Sequence, residues 1–476
     1  MSEDRLGAAR PEDQRWARRR IVVATADTLT ARMAGPAIRA TRLAGALAAE
    51  HDVRLITTAR ADITDARFEV RAVDDRGLRR AMEWCDVFVM QGWILAGRPF
   101  LTTSSKVIVA DIYDPLHLEQ LEAGRDGGDD GRWQAVLDAT AVLNEQLLRG
   151  DLFLCASAKQ RDFWLGQLAA LGRVNPATYD EDETLRSRLA IVPFGVSDDP
   201  PVRGAPALRG VVPGIGPHDK VVLWGGGIYN WFDPLTLIRA VDGLRHEMPD
   251  VRLVFMGLRH PNPDVGEMKM AVAARLLSRD LGLTGVHVFF NEGWVPYDER
   301  QNYLLDADVG VSTHLDHVET EFSFRTRILD YLWAGLPIVA TRGDSLSDLV
   351  AQRDLGITVP AGDVDALRRA LAELLGNEAL AAGCRANIEV LVPELVWSKV
   401  LAPVVEFCRH PTRAPDVVDP AHGHLVGLRA GITRDQGARA DLRLAVHYLR
   451  EGGVGLLARR VRSRLTHRFG RAGPQA

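Results

Sequence analysis

The sequence alternates short apolar runs with amphipathic helical segments, and it does so in two long series. The first series opens with RRIVVATAD at residues 19–27, followed by a helical pattern at 36–50 that begins with proline. Further strand-like runs lie at 52–59, 68–73, 86–92, 106–114, 151–157 and 191–196. Apolar strands that alternate with helices predict a parallel sheet covered on both faces, the doubly wound α/β class.

A second series of the same kind begins with KVVLWGGG at residues 220–227 and continues to GITVP at 356–360. Residues 198–217 between the two series are rich in proline and glycine, which is typical of a linker. A chain of 476 residues is also too long for one hydrophobic core. We therefore expect two Rossmann-like domains with flanking segments: a polar leader (1–18), the N-terminal domain (19–197), the linker (198–217), the C-terminal domain (218–394), a helix (395–410) and a tail (411–476).

Composition narrows the class of function. A net charge of −5 and a pI near 6.2 give no electrostatic reason to bind nucleic acid, and we expect none as a partner. The four cysteines are far apart and have no metal-ligand spacing, so we expect no metal site and a reducing cytoplasm. The polar N-terminus predicts neither a signal peptide nor a membrane-spanning helix. Only five of the 58 basic residues are lysine, which indicates a GC-rich bacterial source.

The most specific motif lies between residues 306 and 341. It reads DADVGVSTH at 306–314 and ETEFSFRTRILDYLWAGLPIVAT at 319–341. This pattern resembles the donor-binding core of the retaining family-four glycosyltransferases, glycosyl transferases group 1. The resemblance implies the GT-B fold, in which two Rossmann-like domains face a cleft, and a helix near 395–410 that crosses back to the first domain. It also implies a nucleoside diphosphate sugar as donor.

Two carboxylates serve the donor in that family, eight positions apart. Asp330 takes the second position, which implies that it binds the ribose hydroxyls. The first position, which approaches the transferred sugar, falls on Phe322. The nearest carboxylates are Glu321 and Glu319, and we assign the role to Glu321. The alternative for Asp330 is a carboxylate that only stabilises a helix start.

The phosphate-binding residues depart from the family pattern. Related enzymes place an arginine and a lysine after the first strand of the donor domain, whereas this chain has no basic residue between Gly225 and Pro234. We assign the diphosphate to Arg325 and Arg327, because guanidinium groups suit phosphate, and we give Arg327 a catalytic role as well. The alternative is that both arginines lie on a solvated helical face.

Backbone segments complete the predicted donor site. Gly226 and Gly227 follow a strand and allow close approach of a ligand, although a tight turn explains them equally. The run lacks the spacing of a dinucleotide fold, which argues against NAD. FFNEGWVPYDE at 289–299 resembles the loop that reads the base, and its residues assigned to the base pocket are Gly293, Val295 and Tyr297. The alternative there is a simple strand-to-helix turn.

The N-terminal domain contributes two further predictions. Gly35 and the helix start after it are assigned to the donor phosphates across the cleft. ADIYDPLHLEQLE at 110–122 follows a strand end, where functional groups of open α/β sheets collect. Among Asp111, Asp114 and His117 we assign Asp114 to the reacting sugar, and an Asp-Pro turn is the alternative. His314 is another candidate, for which a structural role is the alternative.

Residues 444–471 combine apolar residues at helical spacing with seven arginines. A basic amphipathic helix is typical of contact with an anionic membrane surface, and a disordered basic tail is the alternative. The sequence thus predicts a cytoplasmic protein that is peripheral at the inner face of the plasma membrane, consistent with a lipid-linked acceptor.

The predicted function is transfer of a sugar from a UDP- or GDP-sugar to a glycan, lipid-linked or small-molecule acceptor, in polysaccharide biosynthesis. The resemblance implies retention of anomeric configuration and no required metal or other cofactor. Two alternatives stay open. One is a non-catalytic protein that binds sugar nucleotides, and the other is an epimerase or pseudo-glycosyltransferase that uses the same donor site.

Overall fold

The computed structural model describes residues 17–125, 129–258 and 267–418, which belong to one compact unit. The predicted membrane-binding segment 444–471 lies outside the described residues. No helix within the described ranges is long and apolar enough to cross a membrane.

The N-terminal domain is built on a sheet of seven parallel strands in the order β3-β2-β1-β4-β5-β6-β7. Its strands are β1 (Arg20–Thr25), β2 (Asp52–Thr57), β3 (Glu69–Ala72), β4 (Val87–Gln91), β5 (Val107–Asp111), β6 (Leu152–Cys155) and β7 (Leu189–Ile191). Its helices are α1 (Gly35–Ala48), α2 (Asp75–Trp84), α3 (Pro99–Thr102), α4 (Leu116–Ala123), α5 (Asp129–Arg149), α6 (Ala158–Ala170) and α7 (Pro176–Glu181). The central strands are buried on both faces, as their continuous apolar runs predict.

The C-terminal domain repeats this architecture with six parallel strands in the order β10-β9-β8-β11-β12-β13. Its strands are β8 (Lys220–Trp224), β9 (Val251–Phe255), β10 (Val288–Phe290), β11 (Val309–Ser312), β12 (Ile338–Thr341) and β13 (Gly356–Val359). Its helices are α8 (Pro234–Leu244), α9 (Lys269–Asp280), α10 (Arg300–Leu304), α11 (Val318–Phe322), α12 (Arg327–Trp333), α13 (Ser345–Gln352) and α14 (Val364–Gly376). The predicted α/β class with two doubly wound sheets is confirmed.

Each sheet reverses its winding direction once, and this reversal positions the site. β1 lies beside β4 in the first sheet, and β8 lies beside β11 in the second. In open α/β sheets, ligands bind at the carboxyl ends of the strands at such a switch point. The chain segments that leave these four strands are therefore the natural walls of a binding cleft.

Two sequence-based expectations differ from the observed elements. The strand predicted at 191–196 is wrong, because β7 ends at Ile191 and Pro193 lacks the N–H that a ladder needs. The single helix predicted at 395–410 is divided into the end of α15 (Glu378–Leu395), α16 (Trp397–Val400) and α17 (Ala402–Arg409). Proline accounts for the second break, because Pro403 lies in the first turn of α17.

The segment after α15 still returns to the N-terminal domain. α17 packs against α1, and Arg409 holds Glu50 with nitrogen-to-oxygen distances of 2.6 and 2.7 Å. α18 (Pro415–Val418) then packs on α7, where Asp416 accepts hydrogen bonds from Arg173. Residues 198–217 contain neither helix nor strand. The exact domain boundaries stay predictions.

Candidate active site

A cavity of about 640 Å³ lies between the two domains at the switch points of both sheets. We call its N-terminal-domain lining the N-terminal wall; it includes the segments that follow β1, β4 and β5. The C-terminal wall comes from the segment after β8, the loop after β10 and the start of α12. The cavity is large enough for a nucleotide and a sugar ring, which places it in the usual range of ligand sites.

All but two of the residues predicted from the sequence line this cavity. Those that do are Gly35, Asp114, Gly226, Gly227, Val295, Tyr297, Arg325, Arg327 and Asp330. Glu321 does not, because α11 turns Glu319 and Thr320 inward and leaves Glu321 exposed to solvent. Gly293 is also exposed, in a turn where its N–H donates to Asn291 Oδ1 at 3.2 Å. The structure thus gives neither residue the position assigned to it.

Arg327 is a buried cation without a carboxylate partner among the described residues. It is 8% exposed and begins α12. One guanidinium nitrogen, Nη2, donates to the Gly227 carbonyl at 2.8 Å, and Nη1 has no partner within the described chain. The guanidinium stacks on Trp224 and Phe232, 4.2 and 4.0 Å from the ring centroids. Burial lowers the pKa of Arg327 to about 10, which is the expected cost of a desolvated, unneutralised charge.

Arg325 is equally buried, at 5% exposure, but its charge is already neutralised. Its two terminal nitrogens donate to the Glu319 carboxylate at 3.1 and 2.7 Å in a bidentate pair. The prediction that Arg325 and Arg327 serve the diphosphate alike therefore needs correction, since only Arg327 is left to attract an anion. Glu319, the other carboxylate considered for the sugar, is used in this pair and does not line the cavity.

Asp330 faces the cavity together with a residue that sequence reasoning missed, Arg300. Arg300 Nε donates to Asp330 Oδ1 at 2.9 Å, and its Nη1 donates to the Tyr297 carbonyl at 2.7 Å. Rings of Tyr297 and Trp333 flank the Arg300 guanidinium at 3.7 and 4.4 Å. The only sequence signal for Arg300 was its position directly after the loop at 289–299 that is assigned to the base.

The glycine segment after β8 forms the floor between Arg327 and the base loop. Gly226 has φ +79°, a conformation that glycine adopts without strain. The Gly225 N–H donates to the Tyr331 hydroxyl at 2.7 Å, and a Cβ on Gly227 would lie 3.1 Å from the Trp294 ring. These contacts fix the segment close to α12, so its backbone is held beside Arg327.

The N-terminal wall contains a helix start and a pair of carboxyl groups. α1 begins at Gly35 without a side-chain cap. Pro36 has no N–H and the Ile38 N–H donates to the Ala34 carbonyl at 3.1 Å, so the N–H groups of Gly35 and Ala37 are the ones that this helix start leaves for a ligand. Asp114 and Glu119 both line the cavity and are hydrogen-bonded to each other. Burial raises the pKa of Asp114 to about 6, and burial with the nearby Asp114 charge raises the pKa of Glu119 well above its usual range. The two groups therefore share a proton near neutral pH.

The other N-terminal candidates have structural partners. Arg39 binds Asp111 through two nitrogen-to-oxygen contacts of 2.6 and 2.8 Å, and both side chains are fully buried. His117 stacks on Phe163, and burial lowers its pKa to about 4. His314 lies 3.3 Å from the Asp344 carboxylate and does not line the cavity. Asp114 is thus the candidate of this group that faces the cavity without a buried cation as partner.

No group of three or more histidine, cysteine, aspartate or glutamate residues in the described ranges has the geometry to hold a metal ion. The four cysteines are buried and unpaired, and burial raises the pKa of Cys85 and Cys155 to about 12. Their thiols are core groups and not nucleophiles.

Two doubly wound domains with a cavity between them at the switch points of both sheets define the GT-B fold. Residues 219–377 match the family model described as Glycosyl transferases group 1. The resemblance carried by residues 306–341 is thereby confirmed. A search of the curated proteins found no match.

Solved structures support the same fold over most of the chain. WaaG, a glycosyltransferase involved in lipopolysaccharide biosynthesis, is 15% identical with a TM-score of 0.59 and covers 82% of this chain and 100% of its own. Anabaena HepE in complex with UDP and glucose is 12% identical with a TM-score of 0.59, covering 82% and 99%. Sucrose-phosphate synthase from Thermosynechococcus elongatus is 16% identical with a TM-score of 0.57, covering 82% and 98%. At these identities the likeness establishes the fold.

Proposed function

We propose that this protein transfers a sugar from a nucleoside diphosphate sugar to a hydroxyl group of an acceptor, and that Arg327 binds the diphosphate. The observation that carries the proposal is the position of Arg327. It is a buried guanidinium with a free nitrogen and no carboxylate partner in the described chain, at the wall of a cavity between two Rossmann-like domains. Such a group gains most from an anionic ligand.

The chemistry follows from where charge develops. When the bond between the sugar and the diphosphate breaks, negative charge builds on the leaving diphosphate. Arg327 and the uncapped start of α1 lie on opposite walls of the cavity and stabilise that charge without reorganising. A fixed guanidinium and fixed backbone N–H groups thus supply the charge that a metal supplies in other transferases.

In this proposal Asp330 and the loop after β10 bind the nucleoside. The free oxygen of Asp330 accepts from the ribose, while Arg300 holds its other oxygen at 2.9 Å. Val295 and Tyr297 line the adjoining part of the cavity and contact the base. UDP is the first nucleotide to test, because HepE, a structure of the same fold, was solved with UDP and glucose; GDP is the second.

The finer parts of the proposal rest on the family resemblance and on the sequence. They are retention of configuration, a role in bacterial polysaccharide biosynthesis, and a glycan or lipid-linked acceptor at the inner face of the plasma membrane. For the last, residues 444–471 would bind anionic lipid. Truncation after Val418 keeps the docking of Asp416 on Arg173 and should remove co-sedimentation with anionic liposomes. Unchanged sedimentation of the truncated protein would contradict membrane binding by the tail.

The test of the donor site is calorimetric binding of UDP and GDP to wild type and to Arg327→Met. We expect one nucleotide to bind wild type and the variant to bind it about 10- to 100-fold more weakly, the usual value of charge-assisted hydrogen bonds to an anion. Arg279→Met, which removes an exposed arginine on α9, is the control and should bind like wild type.

Turnover is then measured with UDP- and GDP-sugars, with and without sugar acceptors, as release of the nucleotide. The proposal fails if no nucleoside diphosphate binds wild type, or if Arg327→Met binds as tightly. Binding of a sugar nucleotide with neither transfer nor hydrolysis would instead support the non-catalytic alternative.

A further inference from the structure

The ionisable groups of the two cavity walls are of opposite kinds. On the N-terminal wall, the described residues that line the cavity include four carboxylic acids and no lysine, arginine or histidine; the acids are Asp27, Asp111, Asp114 and Glu119. On the C-terminal wall the ionisable acids and bases are Arg300, Arg325, Arg327 and Asp330. A ligand beside these acids therefore contacts carboxyl oxygens, which disfavour a negative charge on the ligand.

A second observation on the same wall points to a ligand that donates hydrogen bonds. Gln91 ends β4, lines the cavity and is 4% exposed. Its Nε2 donates to the Pro36 carbonyl at 2.6 Å and to Thr25 Oγ1 at 2.9 Å, which fixes the orientation of the amide. Its Oε1 is buried and has no partner within the described chain. An unpartnered buried acceptor calls for a donor.

The carboxyl pair of this wall also favours a ligand that donates hydrogen bonds. Asp114 and Glu119 are hydrogen-bonded to each other, and their remaining oxygens accept from hydroxyl groups. Asp111 is neutralised by Arg39, so its pairing adds no cation to the cavity surface. The part of the wall formed by Gln91, Asp114 and Glu119 thus presents acceptors in several directions and offers an anion no charged partner, and it is distinct from the start of α1 that we assign to the diphosphate.

We propose that the part of the N-terminal wall formed by Gln91, Asp114 and Glu119 is a subsite for an uncharged, hydroxyl-bearing sugar ring, and that it excludes rings that carry a carboxylate or phosphate. Resting on the proposed function, this names the acceptor class: the end of the acceptor that enters the cavity is a neutral polyol. Any phosphate of a lipid-linked acceptor stays outside the cavity. Gln91 and the Asp114–Glu119 pair are the residues that determine this specificity.

The experiment uses the full chain saturated with UDP, so that Arg327 is occupied, and measures ring binding by saturation-transfer NMR. The probes are three matched sets: glucose, galactose and mannose, each with its uronate and its 6-phosphate. We expect at least one neutral ring to bind, and its two anionic counterparts to bind at least about tenfold more weakly, because an unpaired like charge opposes binding.

Bound UDP is negatively charged and itself repels an anionic ring. A variant of the N-terminal wall is therefore needed to separate the repulsion by the wall from the repulsion by UDP. In Asp114→Asn/Glu119→Gln, which keeps shape and removes both acids, the discrimination between neutral and anionic rings should fall at least about threefold. Glu122→Gln is the matched control, since Glu122 lies on α4 like Glu119 but outside the cavity, and it should discriminate like wild type. Thermal melting of each variant checks that it is folded.

Three results would overturn the inference. In the first, anionic rings bind wild type as tightly as neutral rings do. In the second, none of the neutral rings binds at concentrations up to its solubility limit. In the third, the double variant is folded and discriminates between neutral and anionic rings as wild type does. If UDP binds through Arg327 while any of these holds, the proposed donor site stands and only the acceptor subsite fails. If no nucleoside diphosphate binds at all, the proposed function itself fails first.

Discussion

On both walls of the cavity most charged groups are neutralised by a partner within the protein. The groups left over are carboxyl groups on the N-terminal wall and a guanidinium on the C-terminal wall. On the N-terminal wall, Arg39 neutralises Asp111, while Asp114 and Glu119 share a proton. On the C-terminal wall, Glu319 neutralises Arg325 and Asp330 holds Arg300, so that Arg327 stays unneutralised within the described chain. What a wall binds is therefore set by the groups left over after internal pairing, and not by the number of charged residues in the motif.

The largest expected effect tests the pairing of Arg325. Arg325→Met leaves the Glu319 carboxylate buried without its cation, and we expect the free energy of unfolding to fall by about 3–5 kcal/mol. Urea denaturation followed by circular dichroism measures the change. The double variant Arg325→Met/Glu319→Gln removes both charges and should recover more than half of the loss. A single variant as stable as wild type would mean that the pair contributes nothing and that Arg325 is available to a ligand.

The pH dependence of stability tests the N-terminal wall. The pKa of Asp114 is raised from 3.8 to about 6 in the folded protein. Between these values the unfolded chain has lost this proton and the folded protein keeps it, so stability falls as pH rises through that window. We expect Asp114→Asn to match wild type near pH 4 and to exceed it above pH 7 by about 3 kcal/mol, because each pKa unit corresponds to about 1.4 kcal/mol.

Asp280→Asn, a change at the exposed end of α9, is the control and should follow the wild-type pH profile. Urea denaturation at a series of pH values measures all three proteins. A constant difference between Asp114→Asn and wild type across the range would show that the Asp114 carboxyl ionises as freely in the folded protein as in the unfolded chain.

Arg327 should respond in the opposite sense to Arg325, although the two residues are almost equally buried. Arg327→Met removes a desolvated charge and keeps an apolar stem between Trp224 and Phe232. We expect the ligand-free protein to gain about 1 kcal/mol of stability while nucleotide binding is lost, because unneutralised charge at a binding site lowers stability. Melting temperatures with and without UDP measure both effects, and a destabilised ligand-free variant would contradict the account of Arg327 as an uncompensated cation.

Much of the fold was readable from the sequence, because a buried parallel strand is an uninterrupted apolar run that local pattern reveals. Both sheets and most helices lie where the alternation placed them. The wrong predictions lie where tertiary contacts determine the secondary structure. The run at 191–196 is apolar because Val192, Phe194 and Val196 pack in the core. Of its residues, Ile191 belongs to β7 and Val196 forms an isolated bridge with Val396, and the run is not a strand of its own. The helix at 395–410 looked continuous because its apolar spacing persists across the breaks.

The site was predictable as a set of segments and not as a set of roles. Asp330, Arg327 and Gly226, which motif positions marked, all line one cavity. Sequence could not tell that Arg325 would be paired with Glu319, since that depends on how the segment between α11 and α12 turns back onto α11. Arg300, Glu119 and Gln91 were missed for the same reason, because each gains its meaning from a partner on another element or from the lack of one.

The smallest expected effect concerns the nucleoside end of the C-terminal wall, where Asp330 is held by Arg300 at 2.9 Å. If the free Asp330 oxygen accepts from the ribose, UDP should bind more tightly than 2′-deoxy-UDP or 3′-deoxy-UDP. We expect Asp330→Asn to weaken UDP binding about tenfold, in line with loss of one hydrogen bond to a charged group, and to bind the deoxy nucleotide that lacks the bonded hydroxyl as wild type does. Arg300→Lys keeps the charge but not the fixed guanidinium plane. It should lose part of the discrimination between UDP and the deoxy nucleotide, with a smaller loss of affinity for UDP.

Asp348→Asn on α13, outside the cavity, is the matched control for calorimetry. Equal loss of affinity for UDP and for both deoxy nucleotides in Asp330→Asn would place the carboxylate away from the ribose, leaving Arg327 as the only tested contact of the C-terminal wall with the donor.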